Sequence, residues 1–258
     1  MLAIIGGSGL TTLSNLDVSH REVVRTPYGE PSGALVIGQI SGQPVMFLPR
    51  HGYGHTIPPH MVNYLANIWA LHDHGATGVI SVASVGAIRA DLKPGDIVLP
   101  HQIMDYTWGR RSTFFDGGNT PVTHIDFTEP YDMALYTRIA AAAEAAGIEA
   151  KRGAVYAATQ GPRLETAAEV NRLERDGADV VGMTGMPEAA LAREIGLPYA
   201  AINVVANHAA GRGSSAQGIH FETLEPVLQE AMGRVRTIIE HLVCSQSRQQ
   251  PAETAEGC

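Results

Sequence analysis

The segment Pro49-Arg50-His51-Gly52-Tyr53-Gly54-His55 follows an apolar run, Val45 to Leu48, and carries two side chains suited to holding an anion. Arginine presents a planar, permanently charged fork for phosphate, and the adjacent histidine offers a further hydrogen bond. Gly52 and Gly54 keep that loop open. The histidines at 51, 55 and 60 also raise a metal site, but their spacing fits no metal-ligand signature, and surface loop histidines explain them more simply. A second anion-holding candidate, Gly6-Gly7-Ser8-Gly9, ends the apolar run Leu2 to Ile5. Its glycines let backbone N–H groups approach an anion and Ser8 adds a hydroxyl, although a plain tight turn accounts for the same residues. A dinucleotide fingerprint counted from Gly7 needs glycine at Thr12, which disfavours a Rossmann dehydrogenase.

Three more segments sit at strand ends. Ser84, in Ser-Val-Ala-Ser-Val-Gly-Ala-Ile from Ser81, can supply a hydroxyl and a backbone N–H, or can simply pack small against a helix. Thr184, in Gly182-Met183-Thr184-Gly185-Met186-Pro187-Glu188, reads as a ligand floor with Met183 or as an ordinary helix-start residue. Asn207-His208 closes a long apolar strand. An amide there can donate to and accept from one edge of a heterocycle, and an ordinary turn asparagine is the alternative.

The elements that must position these groups alternate along the chain. Strand patterns fall at residues 2–5, 34–40, 45–48, 77–84, 96–100, 154–159, 179–183 and 199–206. Helical patterns fall at 61–71, 131–146, 165–176, 188–195 and 223–243, several closed by glycine. This predicts a single α/β domain over 1–243, a central mixed sheet flanked by helices, with residues 244–258 as a polar tail expected to be disordered. In such folds ligands gather at the carboxyl ends of strands, where all five segments lie.

Composition narrows the partners. The 258 residues carry 18 Lys plus Arg against 26 Asp plus Glu, a net charge of −8, which gives no footprint for nucleic acid or an anionic membrane. Hydrophobic residues at 45% and charged residues at 17% describe a folded globule. The longest largely apolar run, Val79 to Ile88, is far short of the roughly 20 residues of a membrane span. No leader is visible, and two cysteines close to the C-terminus cannot staple a core, so a cytoplasmic protein is expected.

The strings IIGGSGL, PRHGYGHTIPPHMVNYLANIWAL, GDIVLPHQIMDYT, TFFDG, TQGPRLET and GADVVGMTGMPEAALAREIGLPYA together resemble the nucleoside phosphorylase family, specifically the trimeric 5′-methylthioadenosine phosphorylase branch. The resemblance implies a phosphate site at Ser8, Arg50, His51, Ser84 with Ala83, and Thr184. It places Met183 against the ribose. It puts Leu164 where an aromatic usually flanks the purine, and Glu165 and His220 where specificity at the 5′ end is tuned. His124 would reach a neighbouring subunit of a homotrimer. Inorganic phosphate would be a co-substrate, with no metal or organic cofactor.

One departure carries information. Adenine-specific members have Thr-Asp-x-Asp where this chain has Ala206-Asn207-His208-Ala209. An aspartate accepts from a 6-amino group, whereas an asparagine amide donates to a 6-oxo group while its carbonyl accepts from N7–H; mismatched edges are rejected. The implied substrate is a 6-oxopurine, and the expected reaction is phosphorolysis of 5′-methylthioinosine to hypoxanthine and 5-methylthioribose 1-phosphate. A phosphorylase acting on inosine and guanosine, a methylthioadenosine phosphorylase, a hydrolytic nucleosidase and a non-catalytic purine-binding protein are the alternatives.

Overall fold

The computed structural model describes residues 1–117 and 121–247. Nine strands form one mixed sheet: β1 (Leu2–Gly6), β2 (Asp17–Glu22), β3 (Leu35–Ile40), β4 (Gln43–Pro49), β5 (Gly78–Ala87), β6 (Ile97–Asp105), β7 (Ala150–Ala158), β8 (Val180–Gly182) and β9 (Tyr199–His208). Their order is β2-β3-β4-β1-β5-β8-β7-β6-β9, and β9 also pairs with β5, so the last five strands close on themselves. β1 lies between β4 and β5, parallel to both, with all five residues buried. This explains its uninterrupted apolar run.

Five helices cover the sheet: α1 (Tyr64–Asp73), α2 (Met133–Ala145), α3 (Ala167–Asp176), α4 (Gly185–Glu194) and α5 (Leu224–Ser247). Tyr64, Leu65 and Ile68 of α1 share one buried cluster with Ala189 and Leu191 of α4. Leu135 and Ile139 of α2 share another with Val235, Ile238 and Leu242 of α5. The sheet is thus clad on both faces, as the alternation predicts.

Boundaries move where capping decides them. The pattern from Met61 overreaches: Met61 sits in a short 3-10 turn and is 66% exposed, and α1 begins only after Asn63, whose side chain caps the Ala66 N–H. The predicted helix from Glu165 starts at Ala167, because Thr166 and Glu169 form a reciprocal capping box. That shift leaves Glu165 outside the helix and free to face a cleft. α5 runs through Ser247, so residues 244–247 are helical and not part of a tail; the remainder of the expected tail lies outside the described residues. β2 escapes the sequence pattern altogether, since all six of its residues are exposed at the sheet edge and nothing selects apolar alternation.

Candidate active site

Five strand ends converge on a cleft of about 720 Å³. Its lining includes Ser8 after β1, Arg50 and His51 after β4, Ser84 within β5, Met183 and Thr184 after β8, and Asn207 and Ala209 at the end of β9. Leu164 and Glu165, after β7, complete one wall. The candidates scattered over the sequence are therefore brought together, with three exceptions. His208 does not line the cleft, because its ring is held on the Gly213–Ser215 turn, with Nδ1 2.9 Å from Ser214 Oγ. His220 stands outside the lining and its Nδ1 is 3.6 Å from Glu222 Oε1, while its neighbours Ile219 and Phe221 do line the cleft. His124 is exposed on the long connection between β6 and α2 and does not reach the cleft of its own chain.

Arg50 corrects a simple expectation. Its guanidinium fork is fully buried and does not stand open for an anion. Nε and Nη2 each donate to Glu188 at 2.8 Å, Nη2 also donates to Ser81 Oγ at 2.6 Å, and Nη1 donates to the Val82 carbonyl at 2.9 Å. Four of the five N–H groups an arginine possesses are thus spent. The fifth, on Nη1, lies beside Gly7, where an added Cβ would stand 2.7 Å from that nitrogen. Only glycine permits this approach. Arg50 therefore offers the cleft one N–H and a fixed charge.

Glu188 is held as completely as its partner. Oε1 accepts from Ser81 Oγ and Tyr199 Oη, both at 2.8 Å. Burial, and then the Glu188 charge, push the Tyr199 phenol well above its ordinary range, so its hydroxyl stays protonated and donates. Burial opposes the Arg50 charge, and Glu188 more than reverses that effect, raising its pKa so that the guanidinium is permanently ionised.

His51 is buried and its Nδ1 lies 2.8 Å from the Ile57 carbonyl, which can only accept. The proton therefore sits on Nδ1, and in the neutral ring Nε2 is an acceptor, not the donor expected from sequence. Burial first and the Arg50 charge second lower its pKa from 6.5 to about 4. The unfolded chain then binds the extra proton between those values, so this histidine's contribution to stability is complete above about pH 6.5 and is lost as pH falls through 4. His51→Gln is expected to flatten the decline of Tm between pH 6.5 and 4; parallel curves for the two proteins would contradict it.

Thr184 occupies the N-cap position of α4 yet makes no side-chain capping bond. Its own N–H and that of Gly185 point to Tyr156 Oη, at 3.2 and 3.4 Å. The Thr184 side chain also bonds Tyr156, and the residue lines the cleft. Ser8 Oγ lies 3.4 Å from Nε2 of His55, a residue at φ 56 whose ring is 4.5 Å from that of His51. Glu165 accepts from Thr159 Oγ1 at 2.6 Å. Asn207 Nδ2 donates to the His208 carbonyl at 2.6 Å, which fixes the amide orientation. One N–H and the Oδ1 acceptor remain for a ligand edge.

Sequence reading missed Glu188, Tyr199 and the Ile219 and Phe221 part of the apolar wall, which Leu224 and Leu228, on the helix after Thr223 where a thioether pocket is expected, complete. Glu188 left a signal: a carboxylate at the start of the apolar stretch Met186 to Ala192 is costly unless paired.

The fold and cleft set a buried guanidinium–carboxylate pair behind one wall and an amide at the end of β9. The chain belongs to the phosphorylase superfamily, which it matches over residues 1–243. A probable S-methyl-5′-thioinosine phosphorylase of Pseudomonas syringae pv. tomato is 51% identical, over 92% of this chain and 96% of that protein. The 6-oxopurine nucleoside phosphorylase of Pyrococcus furiosus is 42% identical, over 92% and 90% of the two chains. Methylthioadenosine phosphorylase from Schistosoma mansoni, solved with adenine, superposes with a TM-score of 0.91 at 32% identity, covering 96% of this chain and 92% of that one. No helix among the described residues is long and apolar enough to cross a membrane.

Proposed function

We propose that this protein cleaves 5′-methylthioinosine with inorganic phosphate, giving hypoxanthine and 5-methylthioribose 1-phosphate. The observation that carries this reading is the orientation of Asn207, whose bond to the His208 carbonyl leaves one N–H to donate to a 6-oxo group and Oδ1 to accept from N7–H. An adenine edge would set donor against donor. Ala209, buried at the same strand end, supplies no carboxylate to receive a 6-amino group.

Hydrogen phosphate would sit among Ser8, Ser84, Thr184, the remaining Arg50 N–H and His51. Its own P–O–H donates to His51 Nε2, and its oxyanions accept from the hydroxyls and from Arg50. A phosphate oxygen forms the bond to C1′ as the bond from C1′ to the purine N9 breaks. The sugar carries oxocarbenium character in the transition state, and the anion held beneath it supplies countercharge. The electron pair leaves with the purine, whose N7 takes a proton from solvent and is stabilised by Asn207. Met183 forms the ribose floor. The thioether suits Ile219, Phe221, Leu224 and Leu228; Leu228 packs near Gly9, next to Ser8, which puts this apolar wall beside the anion end of the cleft. The chemistry as proposed requires no metal or organic cofactor. The working form is a homotrimer in the cytoplasm, with His124 at a neighbouring subunit's site.

The kinship with 6-oxopurine nucleoside phosphorylases favours inosine as the second reading. Phosphorolysis of methylthioinosine, methylthioadenosine and inosine, compared with and without phosphate, tests both. Phosphate-dependent hypoxanthine release, fastest from methylthioinosine, is expected. Faster cleavage of inosine would move the assignment to the second reading, and dominant release of adenine from methylthioadenosine would overturn the Asn207 argument.

A further inference from the structure

Arg110 lies on the long connection after β6, outside the cleft lining, and it is half-buried without an acidic partner among the described residues. All its donors go to oxygens of the walls behind the cleft. Nη2 donates to the carbonyls of Thr159 and Gln160, at 3.2 and 2.8 Å, and Nε to Gln160 Oε1 at 3.1 Å. Nη1 donates to the carbonyls of Met183 and Met186, at 2.8 and 2.6 Å, and reaches Tyr64 Oη at 3.2 Å. Tyr64 Oη in turn donates to the Pro59 carbonyl at 2.8 Å, and the guanidinium stands 5.4 Å from the Tyr64 ring centroid.

These acceptors belong to three separate stretches of chain. The first leads into Leu164 and Glu165, the second carries Met183 and Thr184, and the third holds Pro59 in the wall that follows His51 and His55. A planar fork is the one side chain that can bridge so many carbonyls at fixed angles; an ammonium cannot. We propose that Arg110 is a positioning residue that holds the nucleoside-facing loops in register, acting through Met183 and the Thr159–Gln160 turn without touching substrate. The proposal rests on the nucleoside-cleaving reading above. Of the groups proposed to hold phosphate, Ser84 lies in β5 and Ser8 and Arg50 follow β1 and β4, segments to which Arg110 makes no bond, whereas Thr184 lies on the stretch that Arg110 holds.

Arg110→Ala is expected to lower kcat/KM for the nucleoside by roughly 10²-fold, the effect of a misplacement of about 1 Å. KM should rise more for the nucleoside than for phosphate, a split that loss of folded protein does not produce, because that lowers kcat and leaves both KM values unchanged. Guanidinium added at a non-denaturing concentration should restore part of the activity of Arg110→Ala and none in the wild type, and Arg110→Lys should remain impaired. Should the alanine variant fail to fold, Arg110→Gln takes the same measurements. Nucleoside kinetics within about threefold of wild type, or equal losses for both substrates with no guanidinium rescue, would overturn the proposal. If the wild type ignores methylthioinosine, the substrate assignment alone fails, and Arg110 is judged by the same split on whichever nucleoside is cleaved.

Discussion

Glu188→Ala is expected to cost about 3–5 kcal/mol of stability, because it strands Arg50 as a buried, unpaired cation and leaves Ser81 and Tyr199 without their acceptor. Activity should fall by roughly 10²–10³-fold as well, since the guanidinium loses the two bonds that aim its remaining N–H past Gly7. Urea unfolding and steady-state kinetics with varied phosphate read the two effects. Phosphate would then supply Arg50 with a counterion in place of Glu188, so added phosphate should stabilise this variant more than the wild type. A companion variant separates structure from chemistry: Arg50→Met combined with Glu188→Leu replaces the pair with apolar volume and is expected to recover most of the stability and none of the activity. Wild-type stability and phosphate KM in Glu188→Ala would show that the pair is not what positions Arg50.

Asn207 carries the second large effect. Asn207→Ala should slow turnover by roughly 10²-fold, comparable to removing one oxyanion donor, because in the proposed reading its amide stabilises the charge and proton at purine N7. Asn207→Asp replaces the donating N–H₂ with an acceptor facing both the 6-position and the His208 carbonyl. It should favour the 6-amino substrate, so the ratio of methylthioadenosine to methylthioinosine cleavage is expected to rise. An unchanged ratio would mean that another group reads the purine edge, and an unchanged turnover in Asn207→Ala would remove its role in stabilising the leaving base.

Strands buried on both faces were legible because burial imposes a continuous apolar run, as in β1 and β9. β2 was not, since an exposed edge strand is held by its backbone ladder to β3 and places no demand on side chains. The closure of β9 onto β5 was also invisible, because register between distant strands has no local signature. The β5–β9 register shifts between Val85 and Gly86, where β5 also begins to pair with β8 along its other edge.

The sequence by itself determined the α/β class and the strand-end loops that hold the polar groups, each resting on residue type and local spacing, while the 6-oxopurine inference rested on the family resemblance and the departure from it at Asn207 and Ala209. Only the tertiary structure decided what those groups have left to offer. Arg50 looked like an open fork, and Glu188, 138 positions away along the chain, occupies most of it together with Ser81 and Val82. His51 looked like a donor, and a backbone carbonyl six residues on turns its free nitrogen into an acceptor. His208 sat beside Asn207 in the motif, yet successive side chains on a strand face opposite ways, and its ring is held by Ser214 instead. Hydrogen-bond capacity is finite for each atom, and which partners use it up is settled by packing between segments that sequence order keeps apart.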